Sequence, residues 1–243
     1  MRIIIIKKRN LLVLPILLIL IITSVLTYNK QYNTIPAFSS PIINKVIAID
    51  PGHGGFDPGA SGKSGVKEDD INLQICLRIR RLLEQAGGIV ILTRETDDGL
   101  DTSKSKTIRQ RKNEDLRNRR ILINESKPNV FVSIHLNSFE QAKYHGAQVF
   151  YKNGCSDSKE LADIVQKELR RVLDKNNKRV PQSRKTVYLL KMVKCPSILV
   201  ECGFLSNANE EKMLQDPSYQ EKIAWAIYIG LLNYFDEERE NQI

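Results

Sequence analysis

The sequence predicts a single α/β domain with a central, mostly parallel sheet that is flanked by helices on both faces. From residue 45 onward, short apolar runs alternate with longer segments in which apolar residues recur every three or four positions. Short apolar runs are typical of strands that are buried on both faces, and intervening amphipathic helices are typical of the crossovers between parallel strands. The composition of 42% apolar and 27% charged residues is that of a globular protein.

Residues 1–28 precede this domain and have a different character. A short basic stretch is followed by the apolar run Leu11–Leu26, which only a proline, a threonine and a serine interrupt. This order predicts a membrane anchor or a signal segment, with its basic end in the cytoplasm and the remainder of the chain outside. The polar, proline-containing residues 29–44 are predicted to be a linker, and the domain itself is predicted to cover 45–238.

The first elements of the domain follow from apolar runs and the residues that end them. Val46–Ile49 stops at an Asp-Pro-Gly sequence and is predicted to be a buried strand. After a loop rich in glycine and proline, Asp69 or Asp70 is expected to cap a helix that continues to Ala86, where two glycines end it. Ile89–Thr93 is the next predicted strand.

The middle of the chain continues the alternation. Residues 96–112 are polar without periodicity and are predicted to be a long exposed loop, and the next helix is expected over 116–126. Strands are predicted at Asn129–Ile134 and Ala147–Tyr151 because both runs are short and apolar. The apolar periodicity of 160–173 predicts an amphipathic helix.

The last part of the domain begins with a polar, basic segment, 174–186, which is predicted to be a loop. A short strand is expected near 187–190, and the apolar run 197–200 predicts the final strand. The residues after it are predicted to form the closing helices, over 207–214 and 217–235.

Composition argues against two classes of function. Of the net charge of +9, five charges belong to residues 1–44, so the rest of the chain is only mildly basic. Nucleic-acid binding usually needs a dense cationic stripe, and we therefore expect no nucleic-acid partner. The four cysteines form no C-x-x-C pair, which argues against a zinc ribbon or a thioredoxin-like motif and favours buried free thiols.

Three polar residues follow or end predicted strands. His53 comes just after the first strand, His135 ends the third and Glu201 ends the last. Because sites in open α/β sheets form beyond the carboxyl ends of the strands, we expect these side chains to converge. Two imidazoles and a carboxylate suit a zinc ion that keeps its fourth position for water, which favours a hydrolytic site.

A zinc hydrolase needs a second, free carboxylate that carries a proton to the leaving amine. The sequence alone does not assign the two acid roles among its candidates, Glu201, Glu68, Asp57 and Asp50. His145 is expected to be a surface turn residue, because it stands next to a glycine and ahead of a strand. The glycines of 52–65 lack the lysine spacing of a P-loop and are not predicted to hold phosphate.

Seven segments stand in one order along the chain: Ile49–Gly55, Asp57–Ala60 leading to Glu68, Asp70–Leu73, Leu92–Arg94, Leu116 with Arg119 and Asn124, Phe131–Asn137, and Leu199–Asn207. In this order they resemble the zinc-dependent N-acetylmuramoyl-L-alanine amidases of the bacterial cell wall. The resemblance extends over about residues 45–235, and its combination of motifs is specific.

The resemblance implies a cofactor, a set of site residues and a reaction. It implies that Zn²⁺ is bound by His53, Glu68 and His135, and that Glu201 is the catalytic carboxylate. The implied reaction is hydrolysis of the amide between N-acetylmuramic acid and the L-alanine of the peptidoglycan stem peptide. Arg94 and Arg119 are both expected to form ion pairs that hold helix to sheet, with a catalytic role as the alternative. Arg184 and Lys185 are expected in a solvated loop, with contact to a substrate carboxylate as the alternative.

A compact domain behind a short basic membrane segment resembles the sporulation and germination-specific branch of this family. That branch acts on spore-cortex peptidoglycan and prepares muramic-δ-lactam. A general autolysin or cell-separation amidase is the alternative within the class. Outside the class, the alternatives are a non-catalytic peptidoglycan-binding module and a zinc peptidase or deacetylase.

The sequence also carries expectations about partners and location. The loop at 136–146 is short and no wall-binding repeats follow the domain, which predicts an open site whose activity depends on the substrate or on an activating protein partner. We expect contact with the membrane through residues 1–28. The domain is expected outside the cytoplasm, either anchored or secreted to the wall or to the space between the forespore membranes.

Overall fold

The computed structural model describes residues 13–32, 40–102 and 106–240 of the chain. The chain divides into two compact units, Met1–Ser39 and Ser40–Ile243. In the first unit, helix α1 spans Val13–Tyr32 and therefore includes the beginning of the predicted linker. No helix of the described ranges combines the length and the apolar character that crossing a bilayer requires. The predicted anchor, linker and domain limits stay predictions; the whole basic stretch and residues 33–39 of the predicted linker lie outside the described residues.

The second unit is organised around one six-stranded sheet. Its strands are β1 (Val46–Pro51), β2 (Ile89–Leu92), β3 (Val130–Asn137), β4 (Gln148–Lys152), β5 (Gln182–Arg184) and β6 (Ser197–Phe204). The strand order across the sheet is β2-β1-β3-β6-β4-β5. The first four strands in this order run parallel, β4 pairs antiparallel with β6, and β5 pairs parallel with β4.

Helices cover both faces of this sheet. They are α2 (Glu68–Gln85), α3 (Ile108–Glu125), α4 (Ser156–Val172), α5 (Tyr188–Met192), α6 (Ala208–Leu214) and α7 (Pro217–Glu240). Helices α2, α4 and α7 contribute buried apolar residues to the larger core cluster, whereas α3 and α5 contribute to the smaller cluster on the opposite face. The predicted α/β class, with a mostly parallel sheet between helices, is therefore confirmed.

The alternation of side chains along β3 explains why the two faces differ. Val130, Val132 and Ile134 join the core under α2, α4 and α7. Phe131 joins the core under α3 and α5, and His135 has the same parity as Phe131. Because successive strand residues point to opposite faces, the polar ends of the strands open on the side of the sheet that α3 and α5 cover.

The start of α3 corrects the prediction of a loop over 96–112. The helix begins at Ile108, and Thr107 caps it. The Thr107 side chain accepts a hydrogen bond from the Gln110 backbone, and the Gln110 side chain accepts one from the Thr107 backbone in return. Apart from the exposed Ile108, the first turns of α3 are polar, so apolar periodicity does not predict them, although the sequence contains the Thr-x-x-Gln pattern of a capping box.

Three other local predictions are also wrong. The segment 187–190 belongs to helix α5 and its preceding residue rather than to a strand, because its apolar side chains pack on one side into the core under α3. The predicted loop 174–186 contains the edge strand β5. The residue that precedes α2 is Lys67, without a capping side chain, and the expected caps Asp69 and Asp70 lie within the first helical turn.

Candidate metal centre and active site

The central strands bring the predicted site residues together at one edge of the sheet. β1 and β6 both neighbour β3, and His135 is the register partner of Glu201. His53 follows the end of β1 by two residues, and Gly52 donates a backbone hydrogen bond to the Ile134 carbonyl oxygen at 2.9 Å. The convergence that parallel strand ends predict is therefore present.

His53 is held by an unusual backbone conformation and by a carboxylate. Its φ is 63°, in the left-handed region that residues other than glycine rarely adopt. Its Nδ1 lies 3.1 Å from Oδ2 of Asp57, and Lys112 Nζ lies 2.9 Å from the same Asp57 oxygen. Asp57 therefore orients the imidazole so that Nε2 is the atom presented to Glu68.

The Glu68 carboxylate lies between the rings of His53 and His135 and contacts both. Glu68 is the first residue of α2, and only 3% of its surface is exposed. Its Oε1 lies 3.3 Å from His53 Nε2 and 3.1 Å from His135 Nδ1. The backbone amides of Leu136 and Ala60 donate to Oε1 and Oε2 at 3.0 and 2.8 Å, which fixes the carboxylate between the two rings.

The spacing of these three groups fits a zinc ion. One potential ligand atom from each of His53, Glu68 and His135 lies within 4.8 Å of the others. Tetrahedral zinc with ligands at about 2.0–2.1 Å holds neighbouring ligand atoms about 3.3 Å apart, close to the distances found around Glu68. Two imidazoles and a carboxylate, one imidazole oriented by a further carboxylate, are also the chemistry that a catalytic zinc site uses.

Two glycines make room for the close approach of these groups. A Cβ atom at Gly52 would lie 2.3 Å from Cε1 of the His135 ring. A Cβ atom at Gly59 would lie 2.6 Å from Oε2 of Glu68, and Gly59 also has a φ of +70°. Side chains at these positions would displace the ring and the carboxylate, so the glycine-rich loop serves the geometry of the cluster.

Charges within the cluster shift the pKa values in opposite directions. Burial lowers the pKa of His53, but the carboxylates of Asp57 and Glu68 outweigh it and raise that pKa to about 9. Burial raises the pKa of Glu68, but hydrogen bonds to His135 and His53 hold it well below the ordinary value. The cluster therefore stabilises a positive charge beside the Glu68 carboxylate. A bound cation would supply the same kind of charge.

Glu201 lies in a different environment from Glu68. Its Oε2 is buried and has no hydrogen-bond partner among the described residues. Burial raises the pKa of Glu201 to about 7, against the lowering effect of the charge on His135. A carboxyl group that titrates near neutral pH can both accept and donate a proton, which is what a general acid–base group requires.

Behind the metal cluster, a buried network fixes the loop that carries His53. Arg119 Nη1 donates to Asp50 Oδ1 at 2.7 Å, and its Nη2 donates to the His53 carbonyl oxygen at 2.6 Å. Asp50 also accepts hydrogen bonds from Thr93 and Ser133. The ion pair expected for Arg119 is present, and Asp50, a candidate acid in the sequence, is occupied in this network.

Arg94 differs from expectation. Within the described residues it forms no ion pair, and it donates to the backbone carbonyl oxygens of Pro51, Gly52, Asp69 and Thr96. It therefore ties the loop before His53 to the start of α2, next to Glu68. His145, as expected, is exposed and away from the cluster, with Nδ1 3.2 Å from the Lys143 carbonyl oxygen.

A pocket of about 300 Å³ joins the cluster to Glu201. His53, His135 and Glu201 line it, and Tyr188 and Leu190 of α5 form part of its wall. The sequence does not predict that Tyr188 and Leu190 line the pocket, because their apolar run predicts a strand. Nor does it predict that Lys112 lines the pocket from α3 and contacts Asp57.

The chain is similar to known proteins over most of its length. The family model for N-acetylmuramoyl-L-alanine amidase matches residues 47–233. The germination-specific N-acetylmuramoyl-L-alanine amidase of Bacillus subtilis is 42% identical over 201 residues, which are 83% of this chain and 84% of the relative.

Two solved structures have the same fold. The CwlD amidase of Clostridioides difficile, solved in complex with the GerS lipoprotein, is 55% identical with a TM-score of 0.78, over 79% of this chain and 99% of that one. The amidase AmiC2 of Nostoc punctiforme is 30% identical with a TM-score of 0.68, over 79% and 97% of the two chains.

Proposed function

Because this chain belongs to the N-acetylmuramoyl-L-alanine amidase family, we propose that His53, Glu68 and His135 bind one zinc ion. We further propose that Glu201 is the catalytic carboxylate. The enzyme is a hydrolase that cleaves the amide between N-acetylmuramic acid and L-alanine in peptidoglycan. The observation that carries the residue assignment is the convergence of two imidazoles on Glu68 in the same pocket as the unpartnered oxygen of Glu201.

The roles follow from the environments of the residues. Zinc bound at the cluster would polarise the scissile carbonyl and lower the pKa of the attacking water. Glu201 accepts the proton of that water and then donates it to the departing alanine nitrogen, because burial brings its pKa to about 7. Asp57 and Arg119 keep His53 in place, the first through its ring and the second through its carbonyl oxygen.

The proposed physiological substrate is spore-cortex peptidoglycan, where removal of the stem peptide prepares muramic-δ-lactam. The likeness to the germination-specific amidase of Bacillus subtilis supports it, because 83% of this chain aligns with 84% of that enzyme. A general wall autolysin is the second candidate. The likeness to the amidase LytC of Bacillus subtilis favours it less, at 30% identity and over only 36% of that relative.

We place the domain outside the cytoplasm, where its polymeric substrate is found. Residues 1–28 are proposed to act as membrane anchor or signal segment, on the basis of the basic and apolar pattern of the sequence. A protein partner is also proposed. Its support is the similar CwlD amidase, which was solved in complex with the GerS lipoprotein.

The test of the function is hydrolysis of purified cortex and vegetative peptidoglycan by the full chain, with zinc and with a chelator. The expected result is chelator-sensitive release of stem peptides that begin with L-alanine, identified by mass spectrometry, with cortex as the better substrate. Equal rates on both polymers would favour the autolysin. Release of acetate would identify a deacetylase, and zinc binding without any release would show that a partner is required.

A further inference from the structure

A second pocket, of about 280 Å³, lies between α5 and the edge of the sheet where β4 pairs with β5. Its lining is Lys152, Asn153, Arg184, Lys185 and Lys191. Four of these five residues are cationic, and none of the described residues that line the pocket is acidic. None of the four cations pairs with a carboxylate in the part of the chain that the structure describes; the hydrogen bond of the Lys152 ammonium goes to the carbonyl oxygen of Val193.

The strand register places two of these cations directly beside each other. Lys152 is the register partner of Arg184 in the pairing of β4 with β5. Like charges on neighbouring strands at paired positions are destabilising. The pairing therefore carries electrostatic repulsion, which an anion bound between the two side chains would relieve.

The side chain of Arg184 is held on the face of the sheet that carries the active site. Its guanidinium lies 4.2 Å from the centre of the Phe150 ring, in a cation–π contact. Phe150 is the register partner of Leu199, and Leu199 precedes Glu201 by two residues on the same face of β6. Two residues along a strand and one strand across separate the Cα atoms of Phe150 and Glu201 by about 8 Å. The Arg184 backbone lies one strand and two residues farther from Glu201, and its side chain extends back over the Phe150 ring.

The same stretch of chain connects the two pockets. Arg184 and Lys185 are followed within a few residues by Val187–Leu190, which line the pocket of the metal cluster. Lys191, the next residue, returns to the basic pocket. The residues that line the two pockets therefore alternate along one short stretch of chain.

The peptide released by the proposed reaction has a charge that matches this surface. In a stem peptide, L-alanine is followed by a glutamate whose carboxylate is free or amidated. Since an extended chain advances about 3.5 Å per residue, this carboxylate lies on the order of 7–10 Å from the cleaved amide. That is the scale of the separation between Glu201 and Phe150, over whose ring the Arg184 guanidinium lies.

We propose that Arg184, with Lys185 and Lys191 beside it, is a carboxylate subsite that binds the acidic residue next to the L-alanine of the leaving peptide. This inference rests on the proposed amidase function. Arg184 is the specificity residue, because a guanidinium binds a carboxylate through two parallel hydrogen bonds. The two lysines add attraction that salt weakens. The subsite makes the enzyme favour stem peptides with a free carboxylate over amidated ones.

The test uses the full chain and two soluble fragments that differ in one carboxylate, N-acetylmuramoyl-L-alanyl-D-glutamate and N-acetylmuramoyl-L-alanyl-D-isoglutamine. The wild type is expected to have the higher kcat/KM on the carboxylate fragment. Arg184→Gln is expected to lower that value about tenfold, mainly through KM, and to leave the amidated fragment nearly unchanged. Lys222→Gln, which removes an exposed charge on α7 at the opposite face, serves as the matched control and should change neither value.

An unchanged ratio between the two fragments in Arg184→Gln would overturn the subsite. A loss of activity on both fragments alike would also overturn it, because that result indicates damage to the active site rather than lost recognition. If the wild type cleaves neither fragment, the proposed function fails on these substrates. The subsite is then decided by titrating L-alanyl-D-glutamate and its amide into wild type and Arg184→Gln, where only the wild type should prefer the acid.

Discussion

Glu68 and Glu201 show how residue environment separates two identical side chains into two roles. Glu68 receives backbone amide hydrogen bonds and two imidazoles, so its pKa lies well below the ordinary value. Glu201 Oε2 receives no hydrogen bond from the described residues, and burial raises its pKa to about 7. Divergent environments of this kind are how proteins assign ionised and proton-transferring carboxyl groups within one site.

Glu201→Gln should therefore remove catalysis and keep the metal. The amide has the shape of the acid but cannot accept the proton, so we expect kcat to fall by about 10²–10⁴. Zinc content measured on the same sample should stay at the wild-type level. Glu140→Gln, at an exposed position, is the control and should retain full activity. An active Glu201→Gln enzyme would move the acid–base role to another residue.

His135→Ala should lose zinc and hydrolysis together, since it removes one of the proposed ligands and leaves two. The chain offers a matched control in His145→Ala, because the His145 side chain is exposed and its Nδ1 lies beside the Lys143 carbonyl oxygen, away from the metal cluster. That variant should keep both properties. Metal analysis after dialysis, with circular dichroism to verify folding, makes the comparison. Zinc retained by His135→Ala at the wild-type level would show that the ligand set is wrong.

At the scale of elements, α3 connects the helix layer to the metal site. Its buried Arg119 contacts Asp50 on β1 and the carbonyl oxygen of His53. Its Lys112 contacts Asp57, which in turn orients the His53 ring. The position of α3 therefore decides how well the His53 loop is held, and the capping box at Thr107 is the feature that begins this helix.

Thr107→Ala should lower the free energy of unfolding by about 1 kcal/mol, the usual effect of losing an N-cap side chain. Urea denaturation of the metal-free protein measures it. Gln110→Ala removes the reciprocal half of the box. If the two halves act as a unit, the double variant should lose less than the sum of the single losses. Stability unchanged in Thr107→Ala would mean that packing alone begins this helix.

For the whole molecule, the buried pair of Asp50 and Arg119 joins the sheet to α3. Burial alone would raise the pKa of Asp50, but the charge of Arg119 and hydrogen bonds from Thr93 and Ser133 lower it to about 2. These contacts come from β3, α3 and the residue after β2, while Asp50 itself lies on β1. One carboxylate thus links four parts of the fold next to the site.

This pKa shift predicts part of the acid sensitivity of the fold. The folded protein binds its proton at Asp50 at a lower pH than the unfolded chain, whose aspartates titrate near pH 3.9. The stabilisation is therefore complete above about pH 4 and is lost as the pH falls toward about 2. Its size is about 2 kcal/mol. Denaturation of the metal-free protein at a series of pH values measures it.

Asp50→Asn is the control for that pH dependence. It should be less stable than the wild type at neutral pH, since Arg119 loses its charged partner in a buried place. The difference in free energy of unfolding between the two proteins should shrink between about pH 4 and pH 2. A difference that stays constant over this range would assign the acid sensitivity to other carboxyl groups.

The sequence is sufficient to predict the fold class, the strand ends that carry His53 and His135, and the family. Buried strands are short apolar runs, and a site at their carboxyl ends follows from the parallel arrangement. Residue patterns did not choose between Glu68 and Glu201 as the acid that meets the histidines; only the resemblance to a known family did so. The choice depends on where the start of α2 lies relative to β3, and that is set by packing.

The sequence by itself determined the order of elements and the chemistry available to this protein, because apolar periodicity and residue type are local properties. Only the tertiary structure decided that 188–190 is helical and lines the pocket, that Asp50 pairs with Arg119, and that Arg184 rests on Phe150. Each of these depends on residues far apart in the chain. Burial, charge pairing and the free energies that follow from them exist only once the sheet has brought those residues together.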